Sequence, residues 1–240
     1  MLTLGTDEQK LRELLATEGV TPRTVSLFQS IIKGHYRKQG RKMPWRETDD
    51  PYRIVVSEVM LQQTQVERVM GKYAEFIALF PDFPSLAAAP LQEVLAAWQG
   101  MGYNRRAISL QRLAVRVMEE HGGILPASPE LLAKLPGIGK ATASSIAAFA
   151  FNSPTVFIET NIRRVFIHFF FHDRDDVKDT EIYPLVELTL DRQDPRQWYY
   201  GLMDYGSLFR KTRHNPNRKS AHYSKQSRFE GSRRQLRGRV

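Results

Sequence analysis

The sequence contains no cysteine among its 240 residues. Disulfide bonds, thiolate zinc sites, cysteine-ligated iron–sulfur clusters and cysteine nucleophiles are therefore all excluded for this chain. No apolar run approaches the ~18–20 residues of a membrane-spanning helix. The initial segment MLTLGTDEQK does not place a basic stretch before an apolar one, as a secretion signal does. We therefore expect a soluble, cytoplasmic protein with no membrane attachment.

Acidic residues are scarce at one end of the chain. The whole sequence has 35 lysines and arginines against 26 acids, a net charge of +9. From Arg210 to Val240 there are eleven basic residues and a single acid, Glu230, so the rest of the chain is nearly neutral. A second basic cluster consists of Lys33, Arg37, Lys38, Arg41, Lys42 and Arg46. Such clusters attract polyanions in a salt-dependent way, although a solvated end is the alternative for the last ten residues.

Strand patterns are lacking as well, since no segment alternates apolar and polar residues between hairpin turns. Apolar residues recur instead at helical spacing, as at Val25, Phe28 and Ile32. The segment Ser128-Pro129-Glu130 combines a capping residue, a first-turn proline and an acid near the positive end of a helix. These patterns predict an all-α protein.

Two glycines separated by one residue lie between predicted helices, in the segment Leu135-Pro136-Gly137-Ile138-Gly139. This spacing permits a tight turn. The next helix, which includes Lys140 and Thr142, then begins with free backbone N–H groups that can bind a phosphate. The segment resembles the helix-hairpin-helix motif of DNA-binding proteins, and an ordinary turn between helices is the alternative.

The segment SEVMLQQTQV places an acid among apolar residues. Glu58 is next to Val59 and Met60, a poor environment for a solvated carboxylate. Burial there would raise the pKa of Glu58 and keep a proton available. Gln62 and Gln63 follow, and amide side chains are suited to hydrogen-bonding the edges of bases. An exposed glutamine-rich face is the alternative.

The segment GMGYNRRA presents an aromatic ring on a glycine turn. Tyr103 is followed by Arg105 and Arg106 two and three positions later. Such a ring can enter a base stack while the arginines hold phosphates. A buried tyrosine at a turn is the alternative.

The segment IETNIRRV starts a predicted helix with an acid. Glu159 precedes an apolar-periodic stretch whose other face carries arginines. Taken alone, this arrangement is typical of ordinary helix capping, because an acid stabilises the positive end of a helix.

In this order and spacing, the four segments resemble those of the helix-hairpin-helix DNA glycosylase superfamily, most closely its MutY-type adenine glycosylases. The resemblance runs from about Ser30 to about Arg210, and Met203-Asp204-Tyr205-Gly206 is similar to the MDLG segment of that family. It implies two helical lobes with a DNA-binding cleft between them. The implied parts are a six-helix bundle at 48–155 with the hairpin at 136–139, a discontinuous helical domain of 1–47 and 156–220, and a basic tail at 221–240.

The resemblance also implies roles for single residues. The acid of SEVMLQQTQV donates a proton to the purine in that family, so Glu58 inherits this role, and the catalytic carboxylate is here Glu159. The implied base pocket consists of Trp45, Arg46, Leu61 and Asn161. The implied DNA contacts are Gln62, Gln63, Tyr103, Arg105, Gly137, Gly139, Lys140 and Thr142. No metal is required, although the family pattern allows a monovalent cation at the hairpin carbonyls near Pro136 and Ile138.

The chain departs from the family pattern at four points. Glu159 stands where an aspartate is usual. Arg210, Asn217 and Ser220 stand at the first three positions of the cysteines that hold the family's iron–sulfur cluster. We therefore expect a cluster-free member without a cofactor. The long C-terminal domain that reads oxidised guanine is not part of this chain. Lyase members carry a Schiff-base lysine where this chain has Ala141, so we expect no β-lyase activity.

These features predict a monofunctional DNA glycosylase of base excision repair. Its expected substrate is double-stranded DNA in which a flipped adenine lies opposite guanine or 8-oxoguanine. A purine is favoured over a pyrimidine, because Glu58 can donate its proton to N7, a site that pyrimidines lack. The alternatives are a glycosylase for uracil or thymine opposite guanine, and a catalytically silent DNA-binding module. We expect a monomer associated with a prokaryotic nucleoid.

Overall fold

The structure, a computed structural model, describes residues 5–211 and 215–223. Within these ranges the chain is helical, and a single β-bridge joins Val177 to Ser220. The α-helices are α1 (Thr6–Glu18), α2 (Pro22–Gln39), α3 (Pro51–Leu61), α4 (Val66–Leu79), α5 (Phe83–Ala88), α6 (Leu91–Ala97), α7 (Arg105–His121), α8 (Pro129–Leu132), α9 (Lys140–Phe151), α10 (Thr160–Phe170), α11 (Asp179–Thr189) and α12 (Pro195–Leu208). Short 3-10 helices cover Pro44–Arg46, Phe209–Lys211 and Pro216–Lys219. The predicted all-α class is confirmed.

The described helices pack into two lobes. The terminal lobe consists of α1, α2 and α10–α12, with α12 packed against both α2 and α10. The central lobe consists of α3–α9, in which α7 packs against α5 and α6 while α9 packs against α3 and α8. Helix α12 also contacts α9, so the lobes meet beside the hairpin helix. The predicted architecture of two helical lobes is confirmed.

The central lobe contains one more helical segment than the sequence predicts. Seven segments lie between residues 48 and 155, and the shortest of them, α8, is a four-residue turn that forms the first arm of the hairpin. The domain boundaries at 48 and 155 stay a prediction. Most of the predicted tail, from residue 224 onward, lies outside the described residues. None of the helices in the described part combines the length and the apolar character needed to cross a bilayer.

Helix α3 carries the first predicted acid, Glu58. The carboxylate of Asp50 caps its start by accepting a hydrogen bond from the Tyr52 N–H at 2.9 Å, and Pro51 occupies the first turn. Most of the helix surface is buried, which is typical of a helix that is apolar nearly all round. Glu58 is the one acidic residue of this helix, and its chain neighbours Ser57 and Val59 are buried.

Candidate active site

A cavity of ≈ 280 Å³ opens between the two lobes. Two acidic side chains line it, Glu58 from α3 and Glu159 from the residue that precedes α10. The four residues of the predicted base pocket line the same cavity, as do two of the predicted DNA contacts: Trp45, Arg46, Leu61, Asn161, Gln62 and Thr142. Segments that are far apart in the sequence therefore converge on one place.

The environment of Glu58 favours its protonated form. Burial raises the pKa of Glu58 to about 7. The Ser145 hydroxyl, which donates a hydrogen bond to Glu58 Oε2 at 2.5 Å, opposes this rise, as does Arg46, whereas the charge of Glu159 adds to it. At neutral pH a large fraction of Glu58 therefore carries a proton, as a general acid needs.

Glu159 is both a helix cap and a cavity residue. Its Oε1 accepts hydrogen bonds from the backbone N–H groups of Asn161 at 2.7 Å and Ile162 at 3.0 Å, and its Oε2 accepts one from the Asn161 side chain at 3.3 Å. Burial raises the pKa of Glu159, while these donors and the nearby Arg164 guanidinium oppose the rise. The capping role and the cavity position, which the sequence presents as alternatives, coexist in one residue.

Arg46 belongs to the cavity wall, and its charge is already paired. Its guanidinium donates two hydrogen bonds to the buried Asp204 carboxylate, at 2.9 and 3.0 Å. Arg41 donates to the same carboxylate from its backbone N–H at 2.8 Å and from Nε at 2.6 Å. Arg46 therefore supplies a fixed positive charge beside Glu58 and is not free to form an ion pair with a ligand.

Aromatic rings form one wall of the cavity. The Arg46 guanidinium lies over the Tyr200 ring, 4.4 Å from its centroid, and Tyr200 stacks on Phe149 at 4.7 Å. Trp45, which the sequence predicts in the pocket, is buried and packs edge-on against Tyr73 at 5.3 Å. Tyr200 lines the cavity, and the sequence analysis missed it. Met203 also lines the cavity, and residues three apart lie on the same face of a helix, so the spacing of Tyr200 from the segment Met203-Asp204-Tyr205-Gly206 could have indicated it.

A second concavity holds several of the remaining predicted DNA contacts. It is lined by Gln63, Tyr103, Arg105 and Gly137, together with Gln62 of the first cavity. The Tyr103 side chain is 58% exposed, so the alternative of a buried tyrosine is wrong. Both Tyr103 (φ +52°) and Gln63 (φ +55°) adopt the left-handed backbone conformation that is uncommon outside glycine, which often marks a functional constraint.

The two arginines behind Tyr103 have different surroundings. Arg105 is exposed at the first residue of α7. Arg106 donates hydrogen bonds to five backbone carbonyls and one hydroxyl, those of Val59, Met60, Gln62, Met101, Gly102 and Thr64, at 2.7–3.2 Å. It thereby joins the C-terminal end of α3 to the glycine turn. The expectation that both arginines hold phosphates is wrong for Arg106, because protein acceptors already occupy both of its Nη atoms and its Nε is buried.

The hairpin leaves a helix start open to the surface. Gly137 has φ +80°, and a Cβ at this position would lie 2.7 Å from the Cβ of Ser109, so only glycine fits. Gly139 precedes α9, and no side chain caps this helix. Lys140, the first helical residue, is exposed. Gln62 reaches the hairpin, where its amide donates to the Gly137 carbonyl at 3.3 Å.

Protein contacts occupy the place where the resemblance puts an iron–sulfur cluster. Asn217 is buried and donates from Nδ2 to the Thr160 carbonyl at 3.1 Å. Ser220 is buried at the β-bridge to Val177. Neither residue is a thiolate, and Arg210 is a cation. The residues at these positions therefore do not fit an iron–sulfur cluster.

The same segment is linked to Glu159 through hydrogen bonds. The Asn215 side chain accepts from Arg164 Nε at 3.2 Å, and Arg164 Nη1 donates to the Asn161 side-chain oxygen at 2.7 Å. The amide of Asn161 in turn donates to Glu159. The C-terminal segment thus helps to orient the start of α10.

A model of one protein family matches the region that contains these features. The model of the HhH-GPD superfamily of base excision DNA repair proteins matches residues 56–185, slightly more than half of the chain. The chain belongs to this superfamily. The matched region of this HhH-GPD protein includes Glu58, Tyr103, the hairpin and Glu159, whereas Arg46 and Asp204 lie outside it.

Curated relatives of this HhH-GPD protein are named adenine DNA glycosylases. The protein from Buchnera aphidicola subsp. Baizongia pistaciae is 35% identical over 190 residues, which are 77% of this chain and 53% of the relative. The protein from Mycobacterium tuberculosis is 38% identical over 145 residues, 60% of this chain and 47% of the relative. The protein from Mus musculus is 38% identical over 177 residues, 67% and 34% of the two chains. The chain spans about half the length, or less, of these relatives.

Solved structures share the fold. A thermostable thymine-DNA glycosylase superimposes with a TM-score of 0.71 and 26% identity, over 80% of this chain and 90% of the other. The structure of a non-covalent endonuclease III–DNA complex gives a TM-score of 0.67 at 18% identity, over 81% and 89% of the two chains. The second likeness concerns the fold alone.

Proposed function

We propose that the protein is a DNA glycosylase that hydrolyses the N-glycosidic bond of adenine opposite guanine or 8-oxoguanine. The observation that carries this proposal is the pair of carboxyl groups, Glu58 and Glu159, which face one cavity from two lobes and differ in their hydrogen-bond partners. The names of the curated relatives support adenine as the base.

The proposed reaction assigns one task to each carboxyl group. Glu58 donates its proton to N7 of the flipped adenine, so that the base leaves as a neutral molecule. Glu159 stabilises the positive charge that develops on the sugar, or orients the attacking water. Three N–H hydrogen bonds reach the oxygens of Glu159, whereas Glu58 receives one from a hydroxyl. Because donors to a carboxyl group favour its charged form, Glu159 is the carboxylate of the pair.

The proposed DNA contacts surround the two concavities. Tyr103 is an exposed ring on a strained turn, and it enters the space that the flipped base leaves, with Gln63 beside it. The uncapped start of α9 and the exposed Lys140 bind the phosphate backbone. Arg105 contributes a further cation at the second concavity.

The decisive experiment is a single-turnover excision assay on a panel of duplexes that differ in one base pair. The panel contains adenine opposite guanine, 8-oxoguanine or thymine, and uracil or thymine opposite guanine. We expect fast release of adenine from the first two duplexes alone. Faster release of thymine would favour a second candidate, a thymine glycosylase, which the likeness to a thymine-DNA glycosylase at 26% identity supports. Binding without release from any duplex would indicate a silent DNA-binding module.

The same assay tests for β-lyase activity. A lyase needs an amine that can attack the sugar C1′ and form a Schiff base. Ala141 lines the cavity, whereas Lys140 is exposed one position earlier, about 100° away around the helix. We therefore expect strand breaks only after treatment with alkali, and borohydride should trap no covalent adduct. Robust trapping that is lost in Lys140→Ala would contradict this assignment.

A further inference from the structure

Ser145 places a buried hydroxyl group against the proposed acid. The residue lies on α9, and its side chain is 5% exposed. Its Oγ is 2.5 Å from Glu58 Oε2 and 3.0 Å from the carbonyl oxygen of Thr142, which lies one turn earlier on the same helix. A serine hydroxyl has one hydrogen to donate and two lone pairs that accept. Ser145 can therefore donate to only one of these two oxygens at a time.

The hydrogen count gives two arrangements with the same heavy-atom positions. When Glu58 is ionised, the Ser145 hydrogen points to the Glu58 carboxylate, and a contact of 2.5 Å is typical of such a charge-assisted hydrogen bond. When Glu58 is protonated on Oε1, the oxygen that Ser145 does not contact, Oε2 still accepts the Ser145 hydrogen, and the Glu58 proton stays free for the base.

We propose that Ser145 is a positioning residue for Glu58, whose hydroxyl holds the carboxyl group at the cavity both before and after it gives up its proton. This inference rests on the proposed glycosylase function. In the step itself, the Oε1–H bond of Glu58 breaks and an N–H bond forms at N7 of the base. The Ser145 hydroxyl keeps donating to Oε2 of the new carboxylate, and no covalent bond to Ser145 is made or broken.

The other groups that face Glu58 act through charge or shape. They are Glu159 at the start of α10, Arg46 in the 3-10 helix and Tyr200 on α12. Among the described residues, Ser145 is the one that forms a hydrogen bond with the Glu58 carboxyl group. Removing its hydroxyl therefore changes one interaction of Glu58 and leaves the surrounding charges in place.

The test compares Ser145→Ala with Ser144→Ala, a matched control at the next position of the same helix. Single-turnover excision rates are measured from pH 5 to 9. The Ser145 bond favours the ionised form more strongly, so its loss should keep Glu58 protonated to higher pH. In Ser145→Ala, the pH above which the excision rate decreases should rise by about one unit. At lower pH, where Glu58 is protonated, the rate should be several-fold below that of the wild type. Ser144→Ala should follow the wild-type profile.

A second measurement does not depend on activity. The effect of Glu58→Gln on the free energy of unfolding in urea is followed against pH, with and without Ser145→Ala. The change in unfolding free energy caused by Glu58→Gln varies with pH, and the midpoint of that variation should rise by the same amount when Ser145→Ala is present. If the wild-type protein releases no base from any duplex, the proposed function fails, but this measurement still decides the role of Ser145. Coincident profiles, or an equal shift in Ser144→Ala, would overturn the inference. If alanine prevents folding, Ser145→Cys keeps the volume with a weaker donor, and it should shift the profile in the same direction.

Discussion

Arg46 and Asp204 form a buried, two-point ion pair that joins the cavity wall to α12. The guanidinium and carboxylate groups meet through hydrogen bonds of 2.9 and 3.0 Å, and the two side chains are 6% and 2% exposed. Burial acts to raise the pKa of Asp204, but the hydrogen bonds and charges of Arg46 and Arg41 hold it below its ordinary value. The pair therefore keeps its charges at neutral pH.

Asp204→Asn should destabilise the protein strongly. The substitution leaves the buried Arg46 guanidinium without a counter-ion, and breaking one side of such a pair costs about 3–5 kcal/mol. Urea unfolding at pH 7 measures the change in the free energy of unfolding. The control is Glu120→Gln, which removes the exposed pair with Arg116 on α7 and should leave the midpoint unchanged. Equal midpoints for Asp204→Asn and wild type would contradict this assignment.

Glu159→Gln should separate catalysis from folding. The amide keeps the length of the side chain and one oxygen for the cap of α10, but it lacks the negative charge that stabilises the sugar cation. We expect the single-turnover rate to fall by ~10²–10³ while DNA binding stays close to wild type. Glu159→Asp keeps the negative charge and should therefore retain measurable activity. Its rate should still be lower than that of the wild type, because the carboxylate retreats and a displacement of ~1 Å can cost ~100-fold. A folded Glu159→Gln protein with a near wild-type rate would remove Glu159 from the mechanism.

Glu58 should link both the rate and the stability to pH. Its pKa in the folded protein is about 7, above its ordinary value of 4.5, because burial disfavours the charge. The stabilisation from its protonated form is therefore complete below pH 4.5 and is lost as the pH rises through 7. As the pH rises from 4.5 to above 7, the free energy of unfolding of Glu58→Gln should increase relative to that of the wild type by roughly 3 kcal/mol.

The same titration predicts the rate profile. Excision by the wild-type protein should fall above pH 7, because the proton donor is lost. Glu58→Gln should show a low rate without this fall. A wild-type rate that stays level from pH 6 to 9 would show that Glu58 is not the acid.

Tyr103→Ala should weaken the extrusion of the base without harming the fold. The ring is 58% exposed and contributes little to the core. Stacking of an aromatic side chain on a base is worth ~1–3 kcal/mol, so we expect ~5–150-fold weaker binding to mispaired DNA or a rate lower by a similar factor. Tyr183→Ala, at an exposed tyrosine on α11, is the matched control. If both variants bind and cleave alike, Tyr103 does not contact the base stack.

Gly206→Ala should disturb the site through the contact between α12 and the start of α10. A Cβ at Gly206 would lie 2.3 Å from the backbone oxygen of Asn161, two residues after Glu159, so α10 or α12 must shift. We expect a loss of ~1–3 kcal/mol in the free energy of unfolding, together with a slower reaction. Gly34→Ala is the control, because a Cβ there meets no atom within 4 Å. It should be neutral or stabilising by ~0.5–1 kcal/mol, as thermal and urea unfolding can measure.

The sequence by itself determines the helical class, and together with the family resemblance it indicates fewer than half of the residues that line the cavity. Helical spacing of apolar residues, the glycine turn at 136–139 and an acid before a helix are local patterns, and a few neighbouring residues suffice to read them. Glu58 is recognisable because an acid beside Val59 and Met60 is costly unless the fold uses it. Glu159 is recognisable as a cap, although its position at the cavity is not.

The tertiary structure decides which side chains meet and which charges are already paired. Ser145 and Glu58 are 87 residues apart, and Arg46 and Asp204 are 158 apart, so no local pattern connects either pair. Arg105 and Arg106 look equivalent in the sequence. They point in directions about 100° apart on one helix, and only Arg106 meets the carbonyl groups at the end of α3. Its role follows from the packing of α7 against α3, a contact between parts of the chain that are distant in the sequence.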